Sequence, residues 1–344
     1  MKKPFVKGGK ALTLTAALLC TAVFLGSLMA FGTTAQAETQ AEAQAFTPGV
    51  AGQITSCKIS GDKQNVEIGF SSSGDVTGTD GNIYVFEMQP YEEELGSRSN
   101  FIASSPALSA ASVSVPLNLG TPQDKLYSRF VLAVFDGTKF IKVSQPHYIT
   151  NPELIAKNQT PFNDPLTKKG LVIEIDMLSD AFDLGVKHVT TNIAFSQIMG
   201  TGIDYQYDGK TYHFNKGVVD AYDKTISALS NKGMTVTVIL LNDWNPNTPD
   251  LVYPGTQKNS NAFYYMFNAE TEAGFDQTKA IASFLAQHYS GDNPNYGKVS
   301  NWIIGNEINN QQWNYMGPMD LTNYVKAYQK AFLVIYTAIK STNA

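Results

Sequence analysis

The run Val299-Ser300-Asn301-Trp302-Ile303-Ile304-Gly305-Asn306-Glu307 sets a carboxylate where an apolar stretch of strand length gives way to a loop. In parallel sheets, reactive groups gather at that carboxyl edge, because the loops there are free to carry chemistry while the strands hold position. Glu307 is therefore the leading candidate for a catalytic acid. Two further stretches run toward the same kind of edge. Met234 to Leu241 is almost continuously apolar and passes into Asn242-Asp243-Trp244-Asn245-Pro246, and Val186 to Phe195 reads as a strand ending near Asn192. All three tryptophans, Trp244, Trp302 and Trp313, fall on or beside these strand ends.

The elements that must position these residues alternate in period. Met177, Leu178, Ala181 and Phe182 share one helical face that stops at Gly185. Asn215 is placed to cap a helix whose Val218, Val219, Tyr222, Ile226 and Leu229 form a stripe ending at Gly233. A helix is predicted from about Phe275 to Tyr289. A last one, capped by Asp320, carries Leu321, Tyr324, Val325, Tyr328, Phe332, Ile335 and Ile339. The stretches holding Tyr205, Tyr207, Tyr212 and His213, and then Tyr253, Phe263, Tyr264, Tyr265 and Phe267, read as long loops. The uncharged run from Met234 to Leu241 implies burial on both faces of a parallel sheet.

Strand, helix, strand, helix with right-handed crossovers predicts part of a TIM (β/α)8 barrel over 170–344, in an α/β chain. Three strands are clear, with a short fourth expected near Leu171 to Glu174. Because half a barrel exposes raw sheet edges, the expectation is a truncated chain. Upstream, residues 51–150 hold short apolar or alternating runs punctuated by Gly74-Asp75, Asp80-Gly81 and Asp136-Gly137, the pattern of a small all-β sandwich-like domain. Its aromatics Tyr84, Phe86, Tyr91 and Tyr127 read as core. Residues 151–169, with Pro152, Pro161 and Pro165, read as a linker.

Composition narrows the function classes. Lys2, Lys3, Lys7 and Lys10 precede an uncharged stretch reaching Phe31, and Ala35-Gln36-Ala37 follows, so 1–37 reads as an export signal and 38–50 as a disordered leader. A secreted, extracellular protein is expected. Cleavage removes four lysines and no acids, moving the net charge from −5 to −9, which suits neither nucleic acid nor an anionic membrane surface. Cys57 would then stand alone, so an intrachain disulfide is not expected. His147, His188, His213 and His288 lack ligand spacing, and neither a phosphate loop nor a dinucleotide fingerprint is present, so no metal or cofactor is expected.

With these residues in place, 170–344 resembles the first half of a clan A glycoside hydrolase, a (β/α)8 barrel whose fourth strand ends in Asn-Glu, and most resembles an exported bacterial group of unassigned function within it. The resemblance implies the general acid/base role for Glu307 and a sugar-hydroxyl contact for Asn306. It also implies a retaining mechanism whose nucleophile, a glutamate at the end of a seventh strand, has no counterpart here. Where many clan members carry an arginine near the end of strand two, this chain has His188-Val189-Thr190-Thr191-Asn192. On this view Trp244 and Trp313 could stack on a sugar ring, and Asn192, Asn242, Asn309 and Asn310 could bind hydroxyls. Asp243 reads as a substrate contact or a structural capping residue, and His213 as a weaker contact. The rival expectation is a non-catalytic carbohydrate-binding or cell-surface protein that keeps the cleft.

Overall fold

Alternation organises the first part of the chain. The computed structural model describes residues 52–72, 78–159, 165–173 and 178–344. The expected signal and leader, the Gly74-Asp75 turn, and Pro161 lie outside the described residues. Strands β1 (Gly52–Ile59), β2 (Asn65–Ser72), β3 (Asn82–Met88), β4 (Ala103–Pro106), β5 (Ala111–Pro116), β6 (Arg129–Phe135), β7 (Phe140–Lys142) and β8 (His147–Tyr148) follow in order. They form two antiparallel sheets, one ordered β1-β2-β5 and one β4-β3-β6-β7, with β8 also paired to β6. Val66, Ile68 and Phe70 of β2 meet Ile83, Val85, Phe130 and Leu132 of the other sheet in a shared core. The opposite face of β3 and β6 buries Phe86, Met88, Val131 and Ala133 under Leu95. At the predicted β6–β7 hairpin, Gly137 takes φ +101° and the Asp136 carboxylate accepts from the amides of Thr138 and Lys139.

From residue 170 the period changes as expected. The elements are β9 (Gly170–Val172), α1 (Leu178–Asp183), β10 (His188–Ala194), α2 (Phe195–Ile198), β11 (Gly202–Tyr207), β12 (Lys210–Asn215), α3 (Lys216–Ser230), β13 (Thr235–Leu241), α4 (Glu272–His288), β14 (Asn301–Ile304) and α5 (Leu321–Lys340). Asn215 accepts from the Val218 amide and Asp320 from the Asn323 amide, so both predicted caps are formed. Gly185 and Gly233 take positive φ where their helices stop. Helix α4 begins earlier than its apolar stripe suggests, because Thr271 caps it by accepting from the Gly274 amide.

Strands β9, β10, β13 and β14 form one parallel sheet in which sequential strands are neighbours, with Ala194 opposite Leu241 and Leu240 opposite Ile304. Val189, Ile193, Val236, Val238, Leu240 and Ile304 pack against Ile226, Leu229, Ile281, Leu285, Val334 and Ile335 of the helices. Trp302, in register with Val238, packs against the same core. The opposite face is not covered: Val172 is 66% and Ile303 44% exposed, and Asn192 is exposed. The expected burial of both faces is therefore corrected. An apolar strand run cannot tell a covered face from an open one, since Ile239 and Ile303 are apolar on either reading. The result is a mixed α/β chain with several sheets, four of its strands parallel and sequential.

The aromatic stretch read as a loop around Tyr205 to His213 is instead the antiparallel hairpin β11–β12. Asp208 and Gly209, at φ +51° and +71°, make its tight turn. Its inner residues Tyr205 and Phe214 pack against Phe284 of α4 and Tyr212 is buried, while Asp204 and His213 pair on the exposed side, Oδ1 to Nδ1 at 2.7 Å. Residues 48–344 form one compact unit. Within it Tyr127 of the β-sheet part approaches the hydroxyl of Tyr207 at 3.2 Å, and the main chain of Asn158 exchanges hydrogen bonds with Thr342 and Ala344.

Candidate functional site

The end of β14 is built backbone first. The Gly305 amide donates to the Leu240 carbonyl at 2.9 Å, continuing the ladder one residue past the strand, and Gly305 then takes φ +75°. Two residues on, Glu307 takes φ +44°, a left-handed conformation that costs a side chain of this kind roughly 1–2 kcal/mol. Such strain persists only where surrounding contacts over-determine it, and it concentrates at functional positions. Glu307 is exposed, and its carboxylate makes no hydrogen bond or ion pair with the described residues. Asn306 is half-buried and Asn309 exposed.

Asn314, 2% exposed, donates from Nδ2 to the Asn306 carbonyl at 2.8 Å. A Cβ on Gly305 would stand 2.7 Å from Asn314 Oδ1. Glycine is thus needed there for its φ and for space. Gly305→Ala is expected to destabilise the protein by about 2 kcal/mol, from left-handed strain plus displacement of a buried amide. A urea unfolding curve with an unchanged midpoint would refute this.

Two successive turns carry the chain from the acid to an aromatic shelf. The Asn310 amide donates to the Glu307 carbonyl at 2.7 Å and the Trp313 amide to the Asn310 carbonyl at 3.0 Å. Since each turn spans less than about 7 Å, the Cα atoms of Glu307 and Trp313 lie within roughly 14 Å of each other. Trp313 lies against Phe263, centroids 4.8 Å apart, and against Tyr264 at 5.6 Å and 26° between planes. Phe263 is 58% exposed, so the shelf faces water. Main-chain bonds from Phe263 to Gln312, from Met266 to Tyr315 and from Tyr315 to Tyr264 zip the loop after β13 onto the loop after β14.

The preceding strand ends contribute unequally. Asp243 is half-buried, and its Oδ2 accepts from Gln197 Nε2 at 2.7 Å, beside α2. Burial pushes the Tyr264 phenol up, and the negative charge of Asp243 adds to this. Trp244 packs its ring 5.4 Å from Tyr265. Asn192 is exposed on the open sheet face two residues before the end of β10. Asn242 corrects an expectation: it is 0% exposed, its Nδ2 donates to the Leu251 carbonyl at 2.8 Å, and its own carbonyl accepts from Tyr265. It holds the loop and cannot reach a substrate. His213 sits on the outer side of the hairpin with Asp204.

Sequence reasoning left Phe263, Tyr264, Gln197 and Asn314 without roles. The Phe263-Tyr264-Tyr265 run was a usable sign of the shelf. Gln197 and Asn314 carried none. Among the described residues no three His, Cys, Asp or Glu side chains gather as a metal site. A cavity of about 400 Å³ lies between β14 and α5, lined by Trp302, Phe332 and Tyr336, and Glu307 is not among its walls. The acid stands on an open edge.

The site is thus a strained carboxylate and an aromatic shelf at the carboxyl edge of a sequential parallel sheet in an α/β protein. Residues 161–344 match a family of unknown function (DUF5722), and the chain belongs to that family. No curated protein matches the sequence. Solved structures with partial likeness include a hyperthermophilic β-glucosidase mutant, 18% identical, with TM-score 0.33 over 49% of this chain and 44% of that one. The β-glycosidase of Thermosphaera aggregans is 14% identical, with TM-score 0.32 over 49% and 40%. The catalytic module of the pneumococcal glycogen-degrading virulence factor SpuA is 10% identical, with TM-score 0.25 over 81% and 49%. The chain spans less than half the length of each of these structures.

Proposed function

We propose that this is an exported glycoside hydrolase acting on oligo- or polysaccharides, in which Glu307 is the general acid/base and Asn306 a sugar-hydroxyl contact. The observation that carries this is Glu307 held left-handed and solvent-facing just beyond the fourth sequential parallel strand, with a shelf of half-buried Trp313 and exposed Phe263 two turns away. Departure of a glycosidic oxygen needs a proton delivered at the bond, and a retaining reaction needs an ionised carboxylate about 5 Å from that acid. The described residues bring no such carboxylate into contact with Glu307, so the nucleophile is outside this assignment. Trp313, Phe263 and Trp244 offer apolar ring faces, and Asn309 and Asn192 offer exposed amides for hydroxyls. No nucleic-acid or membrane partner enters this proposal.

One observation favours a second reading, a non-catalytic carbohydrate-binding protein: Phe263 of the shelf is exposed and Glu307 has no charged partner among the described residues. The two separate on a panel of aryl glycosides and oligosaccharides tested for both binding and turnover. Trp313→Ala should weaken oligosaccharide binding about tenfold, the worth of one aromatic stacking contact. Binding that depends on Trp313 without any turnover establishes the second reading. Turnover that depends on Glu307 establishes the first, and neither binding nor turnover refutes both.

A further inference from the structure

Three alternate carbonyls at the exit of β14 each accept a hydrogen bond from a side chain that follows later in the sequence. The Ile304 carbonyl accepts from Tyr328 Oη at 2.8 Å, the Asn306 carbonyl from Asn314 Nδ2 at 2.8 Å, and the Ile308 carbonyl from Tyr324 Oη at 2.9 Å. Tyr324 is 4% exposed, and it and Tyr328 are one turn apart on α5, so the helix presents both hydroxyls from one face. Burial pushes both phenols up, Tyr328 to about 12, so each is a neutral donor at physiological pH.

We propose that Tyr328, Asn314 and Tyr324 are positioning residues that fix Glu307 in its left-handed conformation. The carbonyls of 304, 306 and 308 are pinned on either side of the strained residue, and Asn314 also occupies the space that any side chain at 305 would need. An extended continuation at 307 would move the 306 and 308 carbonyls relative to each other and break at least one of these bonds. Each of these partly buried bonds is worth on the order of the left-handed penalty, and three together exceed it. The carboxylate leaves the strand in a set direction although its own oxygens have no partner among the described residues. Such aim matters because a misplacement of about 1 Å can cost about 10²-fold in rate.

The role of these residues in chemistry rests on the acid/base reading of Glu307, so the test has two arms. The first is a crystal structure of Asn314→Ala and of the double variant Tyr324→Phe/Tyr328→Phe, the latter removing only two hydroxyls. Reversion of φ at Glu307 to negative values in either, with α5 unmoved, is the expected result; a positive φ in both overturns the proposal. The second arm compares aryl glycosides of graded leaving-group acidity. Misaiming the acid should slow the poorest leaving groups about 10²-fold while dinitrophenyl glycosides stay within about twofold. A merely structural role would lower all of these rates in proportion, which overturns the positioning role. If instead Glu307→Gln itself leaves the leaving-group dependence unchanged while φ responds as expected, the acid/base reading fails and the backbone clamp stands. Should the protein turn over no glycoside, the crystallographic arm alone decides.

Discussion

Glu307→Gln should lower kcat/KM for glycosides of poor leaving groups by about 10²- to 10⁴-fold, the usual worth of a positioned general acid. The carboxamide keeps the size and shape of the side chain, so the variant removes the transferable proton and little else. Glu307 is exposed and its carboxylate has no partner among the described residues, so the thermal midpoint should hold within about 1 °C. The loss should shrink sharply for dinitrophenyl glycosides, whose leaving group departs without protonation, and sugar affinity should be nearly kept, since the acid acts in the transition state. Equal losses for every leaving group, or loss of the folded state, would assign Glu307 to structure and remove the basis of the hydrolase proposal.

The position of this residue was legible because an apolar run that stops at Gly-Asn-Glu has few readings other than a strand reaching its carboxyl edge. Its conformation was not. Gly305 announces a turn, but the left-handed φ falls on Glu307 and is held by Asn314, Tyr324 and Tyr328, seven to twenty-one residues later, whose apolar spacing says core. Asn242 shows the converse. It shares its setting after an apolar strand with Asn306, yet the chain returns over it at Leu251 and Tyr265 and removes it from water. Only the path of the intervening loop separates a buried amide from an available one. The β11–β12 hairpin stands where a loop is expected, although Asp208-Gly209 between aromatic residues is a strong turn pair. Caps were read correctly at Asn215 and Asp320, since capping is local and needs only the first turn of the helix.

The second large effect is expected at Lys330, a buried lysine that ties three parts of the chain together. It is 7% exposed on α5, and its Nζ meets Glu93 Oε1 at 2.7 Å and also Glu270, just before α4. Glu93 lies between β3 and β4 and is further approached by Arg129 at 3.5 Å, so one ammonium joins the antiparallel sheets to the helices. Lys330→Ala should cost about 3 kcal/mol, the lower end for breaking a buried pair, because the Glu93 side chain is 64% exposed and can turn to water while Glu270, at 22%, cannot. Lys330→Met combined with Glu270→Gln should recover most of that loss, since it removes the stranded charge and keeps the packing. The acid side gives an independent reading. Burial raises the Glu93 pKa, but the hydrogen bond and charge of Lys330, with Arg129 and Lys142, outweigh it and hold the carboxyl below its ordinary 4.5. A lowered folded value means that this contribution is full above pH 4.5 and fades as pH falls through the folded value. Lys330→Met should therefore lose less stability than the parent between pH 6 and pH 3 in urea unfolding. A cost below about 1 kcal/mol for Lys330→Ala, with parallel acid curves, would mean that the two parts are held by their other contacts and that this ion cluster is incidental.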